Sequence, residues 1–529
     1  METLGTFLQG LAARYGERPA LMYQPADKVE VWSYARLWAQ TNRVAAWLEA
    51  RGVTKGDQIV LWAPSAPAWV AAFFAAARLG ALAVPIDMRS SPDFVERVVG
   101  QTNPKIALLS KTTQGQWKFA APTALLDDLA ALTDGTPATD LNTVQPGDIL
   151  ELMFTSGTTG NPKGVILTHA NIMSNVAAID QLVPNYPEYK VLSILPLSHS
   201  LEQTIGLLVP LKRGASIFYL GNFQPATLLR AFQEQGVTTT LLVPQALQLI
   251  MASIEREIAK QGKTATWERG QKIARFLPMR WRRRLFRDIY TRLGGRMEFL
   301  MSGGAPLAPE LIRKWELIGI PVLQGYGTTE TSPAISIVTL KNYNREAVGK
   351  PVPGVQVKIA DDGEVLVKGP NVFAGYWHNE DATRESFTED GWYKTGDLGQ
   401  FDAQGYLHLH GRKKDLIVLG SGQNVYPQDI EEILRAIPGV KDAAVVGLPS
   451  AQGPQVHAVL LLDPDAPAPD VIIRQANEHL APHQRIRGVT LWPAPDFPRT
   501  HTLKVKKHEV LAALQQMEAA RETGQPAAR

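Results

Sequence analysis

Residues 154–165, with the sequence FTSGTTGNPKGV, concentrate the residue types that bind phosphate. Glycines allow positive φ angles and let the backbone approach a ligand, while N–H groups, hydroxyls and one ammonium surround phosphate oxygens. We therefore predict a phosphate-binding loop. It is not a Walker loop, because the Gly-Lys-Ser/Thr ending is absent and Pro162 precedes Lys163. A flexible turn rich in glycine and threonine is the alternative interpretation.

Two further strings offer ligands for the rest of a nucleotide. QGYGTTETS, residues 324–332, places a tyrosine between glycines and offers the carboxylate of Glu330. The ring suits a stacked purine, and a lone carboxylate suits magnesium bound largely by phosphates. YKTGDLG, residues 393–399, places Asp397 in a turn, where a carboxylate accepts hydrogen bonds from ribose hydroxyls. Taken alone, a turn with a capping glutamate is the alternative for the first string, and a structural Asx turn is the alternative for the second.

Two basic strings lie nearer the end of the chain. They are GRKKDLIVLGSGQNVYP, residues 411–427, and FPRTHTLKVKKHE, residues 497–509. Guanidinium and ammonium groups at a cleft bind phosphate or ribose oxygens. A solvated linker and an exposed basic strand are the alternatives for each string by itself. The order in which all five strings occur is therefore more informative than any of the last four alone.

The elements that position these strings follow from the apolar pattern. Apolar runs at 149–154 and 165–167 flank the phosphate loop and predict a strand-loop-strand unit. Before and after it, short apolar runs alternate with helical patterns, which is typical of α/β layers with a largely parallel sheet. The predicted strands are 58–62, 82–86, 106–109, 191–195, 215–219, 240–243 and 299–301, and residues 112–145 are expected to form a surface loop.

The pattern of apolar and turn-forming residues changes after residue 348. Short strands with Gly and Pro turns up to residue 410 predict a small distorted β-barrel. A helix at 427–436, strands at 443–447 and 457–462 and a helix at 472–479 predict a compact α+β domain. We expect an N-terminal domain at 1–411, a C-terminal domain at 412–517 and a frayed tail at 518–529.

Composition narrows the function further. The chain has 529 residues and a net charge of +3, which gives no overall argument for nucleic acid as a partner. Cysteine is absent, so disulfides, thiolate zinc sites and a cysteine nucleophile are excluded and any thiol must come from outside. No signal peptide is recognisable, and the apolar stretch 66–85, interrupted by Arg78, predicts a buried helix and a strand. We expect a cytoplasmic protein.

Together, the five strings resemble the ordered motifs of the adenylate-forming (AMP-binding) enzymes. This family includes acyl-CoA synthetases, the adenylation domains of nonribosomal peptide synthesis and firefly luciferase, and the resemblance spans the chain from about Thr6 to Leu514. It is strongest to the acyl-CoA synthetase branch and its long-chain fatty acid:CoA ligases. The resemblance implies a large α/β N-terminal domain of layered subdomains, a small mobile C-terminal domain, and the use of ATP, Mg²⁺ and coenzyme A.

The resemblance also implies roles for individual residues. ATP phosphates are expected to be held by Thr155, Ser156, Gly157, Thr158, Thr159, Gly160 and Lys163. The nucleotide pocket is expected to contain Gly303, Gly304, Ala305, Pro306, Gly325, Tyr326, Gly327 and Thr328. Thr329 is expected near the α-phosphate, Glu330 on magnesium, and Asp397 and Arg412 on the ribose and phosphates.

A lysine near the end of the chain matches the family's catalytic position. The resemblance implies that Lys504 bridges the substrate carboxylate and the α-phosphate while the acyl-adenylate forms. Leu503 stands where many members have glycine, a form shared with long-chain synthetases. Lys414 matches the hinge about which the C-terminal domain rotates, so that the loop with Gly420 and Gly422 serves the thioester step.

The acyl substrate is less closely defined by the sequence. ILPLSHSLEQTIGLLVPL, residues 194–211, resembles the family's acyl-pocket segment, with His199 and Gly304 on the substrate side. A hydrogen-bonded core histidine is the alternative for His199. Residues 254–296 resemble the insertion of long-chain synthetases. The basic and aromatic part from Arg280 to Arg296 suits contact with an anionic membrane face. A solvated pair of basic helices is the alternative interpretation.

We interpret the chain as an ATP-dependent fatty acid:CoA ligase for medium to long chains. A fatty carboxylate is a poor electrophile, so the first step attacks the α-phosphorus of ATP and expels pyrophosphate, and an external thiol then attacks the acyl carbon. The alternatives are a fatty acyl-AMP ligase that loads a carrier protein and a non-catalytic nucleotide-binding module. A homodimer and peripheral contact with the inner face of the membrane are left open.

Overall fold

The protein is described from a computed structural model, which covers residues 2–25, 28–135, 144–155, 161–184, 188–221, 225–421, 423–450, 453–499 and 505–522. In these ranges the helices are α1 Leu4–Tyr15, α2 Tyr34–Glu49, α3 Pro67–Leu79, α4 Pro92–Thr102, α5 Leu129–Leu132, α6 His169–Asp180, α7 Val209–Lys212, α8 Pro225–Gln235, α9 Pro244–Lys260, α10 Thr264–Ala274, α11 Met279–Leu285, α12 Arg287–Arg292, α13 Pro309–Leu317, α14 Glu380–Glu385, α15 Pro427–Ala436, α16 Pro469–Glu478 and α17 Lys507–Glu522.

The strands of the same ranges are β1 Pro19–Gln24, β2 Glu30–Ser33, β3 Gln58–Trp62, β4 Leu82–Pro85, β5 Ile106–Leu109, β6 Thr123–Leu125, β7 Ile149–Thr155, β8 Lys163–Thr168, β9 Lys190–Ser193, β10 Ser216–Leu220, β11 Thr239–Leu242, β12 Phe299–Ser302, β13 Val322–Tyr326, β14 Ser336–Ile337, β15 Lys350–Pro351, β16 Gln356–Ile359, β17 Glu364–Lys368, β18 Gly375–Tyr376, β19 Tyr393–Phe401, β20 Leu407–Arg412, β21 Ile417–Val418, β22 Asn424–Val425, β23 Val440–Leu448, β24 Gln455–Leu462 and β25 Gly488–Leu491.

The chain forms two compact units. The first unit contains Met1–Val357 and Val367–Tyr393, and the second contains Lys358–Leu366 and Lys394–Arg529. The predicted boundary between residues 411 and 412 stays a prediction. None of the described helices is both long and apolar enough to cross a membrane.

Two sheets organise the first unit. One has the order β15-β14-β13-β12-β11-β9-β10-β1-β2, and the other has the order β18-β8-β7-β4-β3-β5-β6. The pairs between β13 and β1 in the first sheet are parallel, as are those of β3 with β4 and β5. The largely parallel α/β arrangement predicted from alternating strands and helices is therefore confirmed.

Apolar runs become buried strands and helices in this unit. Strand β4 is buried along its whole length and follows α3, whose residues are buried apart from partial exposure at Ala68. Pro67 begins α3, where a missing N–H costs nothing, and Gly80 ends it in the left-handed conformation that glycine adopts freely. The prediction of a buried helix and a strand at 66–85 is confirmed.

The second unit is built from shorter elements. Its sheets have the orders β16-β17-β19-β20, β21-β22 and β23-β24-β25. Helix α15 occupies the predicted range 427–436 and buries Ile430 and Leu434 against β23 and β24. Helix α17 runs to Glu522 and so reaches into the segment expected to be frayed, of which residues 523–529 lie outside the described ranges.

The expected surface loop at 112–145 is only partly irregular. It contains β6, which extends the second sheet, a 3₁₀ turn at Leu126–Asp128 and the short α5. Leu126 and Leu129 are buried, so two apolar side chains fix this piece of an otherwise polar segment. The sequence interpretation missed them because the run is too short to show a helical period.

Candidate active site

The phosphate loop is flanked by the antiparallel pair β7 and β8. Thr155 at the end of β7 is the register partner of Lys163 at the start of β8, so the strand-loop-strand prediction is confirmed. Gly164 lies where an added Cβ would come 2.9 Å from the ring of Phe154 and 3.1 Å from Trp377. The predicted phosphate ligands Ser156, Gly157, Thr158, Thr159 and Gly160 lie outside the described residues.

The predicted nucleotide pocket gathers at the carboxyl edge of two neighbouring parallel strands. Ser302 ends β12 opposite Gln324 of β13, so the residues that follow each strand lie side by side. A Cβ at Gly303 would lie 3.4 Å from the carbonyl oxygen of Gly325. The members of this pocket are Gly303, Gly304, Ala305, Pro306, Gly325, Tyr326, Gly327 and Thr328, of which Gly303 is buried and the others are half-buried or exposed.

Gly327 holds a position that no other residue fits. A Cβ there would lie 1.8 Å from the carbonyl oxygen of Pro333. The close approach follows from a tight return of the chain, because Thr329–Thr331 form a 3₁₀ turn in which Thr328 and Thr331 cap each other. The turn presents Thr329 and Glu330 beside the end of β13.

Glu330 and Lys163 both contact Tyr376, a residue that the sequence analysis did not select. The hydroxyl of Tyr376 donates to Oε1 of Glu330 at 2.9 Å, and Nζ of Lys163 lies 5.1 Å from the centre of the Tyr376 ring. Burial, followed by the charge of Glu330, raises the pKa of Tyr376, so the hydroxyl keeps its proton and remains a donor. One side chain thus orients the predicted metal ligand and supports the predicted phosphate ligand.

The surroundings of Glu330 fit a magnesium ion that phosphates help to bind. Its backbone carbonyl accepts from the N–H of Phe373 at 2.8 Å, and the Tyr376 hydroxyl bonds to one of its two carboxylate oxygens. Among the described residues, no group of three or more His, Cys, Asp and Glu side chains could hold a metal. A single oriented carboxylate is the protein contribution that magnesium needs when a nucleotide supplies further oxygens.

His199 is held by a carboxylate from another part of the chain. Nε2 of His199 lies 3.2 Å from Oδ2 of Asp87, which also receives the guanidinium of Arg89 at 3.1 Å. Although burial opposes ionisation, the hydrogen bonds from His199 and Arg89 lower the pKa of Asp87, so this carboxylate is charged. The His199 side chain is 30% exposed and is therefore not a packed core histidine.

The segment with His199 also contacts the predicted nucleotide pocket. The side chain of Leu201 lies 3.6 Å from where a Cβ of Gly303 would stand and 3.7 Å from that of Gly304. The N–H of Leu197 donates to Ser65 Oγ at 3.0 Å, so loops after β3 and β4 hold this segment in place. The segment of His199 thus lies beside Gly304, and both residues were predicted on the substrate side.

The predicted acyl-pocket segment continues as a π-helix at Glu202–Leu208. Gly206 permits it, because a Cβ there would lie 2.2 Å from the carboxylate of Glu202. Burial raises the pKa of Glu202 to about 8, and it raises that of Glu151 on β7 to about 8. Single-turn π-helices are frequent at functional sites, since the wider turn displaces side chains from regular spacing.

The second unit contains a paired acid and base. Asp397 and Arg412 are register partners on β19 and β20, and Oδ1 of Asp397 lies 2.7 Å from Nε of Arg412. Asp397 is only 6% exposed, and its N–H donates to Thr395 Oγ1. The expected ribose ligand is therefore oriented by the expected phosphate ligand, and both roles stay predictions.

The remaining predicted residues of the second unit are placed only in part. Lys414 lies in a 3₁₀ turn at Lys413–Asp415 with its side chain exposed, and partial desolvation of the ammonium lowers its pKa. Gly420 is exposed. Gly422 and the predicted catalytic Lys504 lie outside the described residues, although Arg499 and Val505, on either side of residues 500–504, form a bridge pair.

Sequence reasoning missed Tyr376, Asp87 and Glu151. A signal for the first was present, since Tyr376 belongs to an aromatic cluster, FAGYW, that follows a Gly and Pro turn. The other two carry no local pattern. Their partners, His199 and Gln203, lie 112 and 52 residues away along the chain.

Comparisons with known proteins agree with this arrangement. The profile of the AMP-binding enzyme family matches residues 8–377, and that of the AMP-binding enzyme C-terminal domain matches residues 429–504. The chain is 31% identical to the long-chain-fatty-acid–CoA ligase FadD15 of Mycobacterium bovis, over 89% of this chain and 89% of the relative. It is 28% identical to a feruloyl-CoA synthase of an Amycolatopsis species, over 90% of this chain and 93% of the relative.

A solved structure shows the same fold. ATP-bound MatB from Rhodopseudomonas palustris superposes with a TM-score of 0.83 and 26% identity, over 98% of this chain and 100% of the other. The two family profiles together span most of the sequence. The chain belongs to the adenylate-forming, AMP-binding enzyme family, in its acyl-CoA ligase group.

Proposed function

We propose that this enzyme is a fatty acid:CoA ligase for medium to long chains. It joins the carboxylate to AMP with release of pyrophosphate, and then transfers the acyl group to the thiol of coenzyme A with release of AMP. The observation that carries the proposal is the contact series from Lys163 through Tyr376 to Glu330. It brings an ammonium group and a carboxylate to one tyrosine side chain.

Several residues of the first unit take part in the formation of the acyl-adenylate, each with a different role. Lys163 attracts the leaving β- and γ-phosphates, and Glu330 holds the magnesium ion that neutralises charge on the phosphates when it is bound. Thr329 lies beside Glu330 and donates to the α-phosphate. The glycines after β12 and β13 leave room for adenine, which stacks on Tyr326.

The residues of the second unit complete the reaction. Asp397, oriented by Arg412, accepts from the ribose hydroxyls. Lys504 supplies positive charge between the carboxylate and the α-phosphate while the new bond forms. Rotation about Lys414 then exchanges Lys504 for the loop of Gly420 and Gly422 in the thioester step. Since the chain has no cysteine, the thiol is external.

Similarity to a long-chain-fatty-acid ligase and the buried apolar residues of the π-helix both support a fatty acyl substrate. Ile205, Leu207 and Leu208 are buried in the segment that begins near His199. The similarity to feruloyl-CoA synthase supports an aromatic acid as the competing substrate class. A hydrocarbon chain gains about 0.8 kcal/mol for each buried CH₂ group, so the chain-length preference would show how much of a fatty acyl chain the enzyme buries.

A pyrophosphate-release assay with and without coenzyme A tests the proposal. Palmitate, octanoate and ferulate are compared, each with ATP and magnesium. A fatty acid:CoA ligase releases AMP faster when coenzyme A is added and prefers a fatty acid over ferulate. AMP release that coenzyme A does not accelerate would instead identify a fatty acyl-AMP ligase, and absence of pyrophosphate release with all three acids would support a binding module.

We further propose that the α10–α12 region contacts anionic membranes, from which the enzyme takes its substrate. Four large apolar side chains stand exposed there, with Phe276 at 89%, Ile273 at 55%, Trp281 at 45% and Leu285 at 42% exposure. Exposed apolar groups with neighbouring cations are typical of interfacial membrane binding. The surrounding exposed cations are Lys272, Arg275, Arg280, Arg284 and Arg287.

Two arginines of this region make hydrogen bonds within the protein. Arg282 donates to the carbonyls of Leu277 and Glu316, and Arg283 donates to Gly319 and Glu298. These two arginines stabilise the fold, so the expectation that the whole stretch from Arg280 to Arg296 faces a membrane is too broad.

Sedimentation with vesicles tests the membrane contact. The protein should bind phosphatidylglycerol vesicles and not phosphatidylcholine vesicles, and Phe276→Ser should reduce binding about tenfold. Leu249→Ser removes an apolar group that is 61% exposed on α9 and serves as the control. Equal sedimentation of the Phe276 variant and the natural protein would contradict the proposed surface.

A further inference from the structure

A surface cavity of ≈ 350 Å³ lies beside the end of the phosphate loop. A water molecule takes up about 30 Å³ of liquid volume, so the cavity has room for a small polyanion. The side chains that line it include three basic groups and three amides, which are Arg97, Lys163, His378, Gln101, Asn161 and Asn379. None of the described lining residues is acidic, so the cavity favours an anion.

Hydrogen bonds between distant segments fix the wall of the cavity. Nε2 of Gln101 donates to the carbonyl of Pro162 at 3.1 Å, and Nε1 of Trp377 donates to the carbonyl of Gln101 at 3.1 Å. The N–H of Trp377 donates to the carbonyl of Gly164 at 2.7 Å. The end of α4, the start of β8 and the residues after β18 are therefore held together as one wall.

The backbone of His378 is in an uncommon conformation. Its φ is +49°, in the left-handed region that residues other than glycine seldom occupy. Asn and His tolerate this region better than most residues, and such conformations cluster at functional sites. The His378 side chain, which this backbone conformation positions, lines the cavity.

Lys163 belongs both to the wall of the cavity and to the candidate phosphate site. This lysine lines the cavity, and its Nζ lies 5.1 Å from the Tyr376 ring, whose hydroxyl bonds to Glu330. A group that leaves Lys163 and Glu330 therefore has the Arg97 guanidinium and the His378 imidazole available in a cavity that the same lysine lines. Of the ligands in the reaction, only the leaving group has two linked phosphates and no base or acyl chain.

We propose that this cavity is an exit site that binds pyrophosphate after its release from ATP. The proposal rests on the proposed function. In the first step a carboxylate oxygen forms a bond to the α-phosphorus, the bond to the bridging oxygen breaks, and its electron pair leaves on pyrophosphate, so that atoms and charge balance. Arg97 and His378 then hold the ion at a distance from the acyl-adenylate and slow the reverse attack.

Exchange of labelled pyrophosphate into ATP, measured with palmitate and magnesium and without coenzyme A, tests the proposal. Arg97→Gln should raise the KM for pyrophosphate about tenfold, which is the usual effect of losing a charge-assisted hydrogen bond. Arg97→Lys should restore part of the affinity. His378→Asn keeps a residue that tolerates positive φ and should raise the same KM by about threefold.

Two further measurements separate this site from ATP binding itself. The KM for ATP in the forward reaction should stay within about twofold in all variants, because the cavity acts on pyrophosphate after release. The inhibition constant of pyrophosphate as a product should rise together with its KM. Arg43→Gln, an exposed arginine on α2, is the matched control and should change none of these constants.

Several results would overturn the exit site. They are an unchanged KM for pyrophosphate in both the Arg97→Gln and His378→Asn variants, an equal rise in the KM for ATP, and equal inhibition of the natural protein by inorganic phosphate and by pyrophosphate. Lack of exchange with every carboxylic acid would overturn the proposed function and this site together. Exchange in the natural protein with unaltered variants would overturn this site alone.

Discussion

Replacement of Tyr376 by phenylalanine should weaken the use of magnesium more than any other property of the enzyme. The change removes the 2.9 Å hydrogen bond to Glu330 and keeps the ring beneath Lys163. A hydrogen bond to a charged group contributes about 1.5–3 kcal/mol. Because Tyr376 and Glu330 are half-buried, we take the lower value, which corresponds to about a tenfold change in affinity.

The expected result is a rise of about tenfold in the magnesium concentration that gives half-maximal pyrophosphate release. Calorimetric titration supplies a second measurement: binding of ATP with magnesium should weaken, while binding of ATP in EDTA should change little. Tyr34→Phe is the control, since its buried hydroxyl donates to the carbonyls of Leu211 and Ala215. It should lower stability without changing the magnesium response. A folded Tyr376→Phe variant with the natural magnesium response would refute the orienting role.

Three other substitutions test separate parts of the first unit. Asp87→Asn should raise the KM for the carboxylic acid about tenfold and leave that for ATP unchanged, because it loosens His199. Glu151→Gln should flatten the pH dependence of stability. Burial raises the pKa of Glu151 from 4.5 to about 8, so protonation of this carboxyl stabilises the folded protein fully below pH 4.5, and this stabilisation is lost as the pH rises to about 8. The free energy of unfolding in urea should therefore fall between pH 5 and pH 8, and the fall should be smaller in the variant by up to about 4 kcal/mol. Gly327→Ala should destabilise the protein by about 3 kcal/mol in urea unfolding, because its Cβ would lie 1.8 Å from the carbonyl oxygen of Pro333.

Each substitution has a matched control in the same unit. Asp134→Asn and Glu310→Gln alter exposed carboxylates and should change neither the KM for the acid nor the pH dependence. Gly10→Ala places a methyl group on α1 with nothing within 4 Å, and it should stabilise by up to about 1 kcal/mol. A pH dependence that persists unchanged in Glu151→Gln would mean that this carboxyl is ionised in the folded protein.

The sequence predicted those features that depend on neighbouring residues. Apolar runs predicted the exact bounds of β3 and β5. They also predicted β7 and β8 on either side of the phosphate loop, whose own residues show no apolar periodicity. A turn with a capping glutamate was the alternative interpretation of the string around Glu330, and the structure has a 3₁₀ turn at Thr329–Thr331. Helix α15 was predicted in the same way, because Pro427 begins it and the apolar spacing continues from there.

Features that depend on distant residues could not be predicted. Tyr376 meets Glu330 across 46 residues, and the composition around each gives no sign of the other. The π-helix at Glu202–Leu208 has an ordinary helical sequence, and its wider turn follows from the packing of the Glu202 carboxylate over Gly206. Arg282 and Arg283 belong to a basic run in the sequence, yet they bind Glu316 on α13 and Glu298 beside β12, which lie 34 and 15 residues away.

The path of the chain through the two units determines how the protein can be cut into fragments. Residues 358–366 belong to the second unit although residues of the first unit stand on both sides of them. A fragment that starts after residue 394 therefore lacks both β16 and β17, and β17 is the neighbour of β19 in its sheet. Such a fragment exposes an unpaired strand edge, which promotes aggregation. Expression of the second unit by itself calls for the strand pair 356–368 to be joined to it through a new linker, in place of a simple truncation.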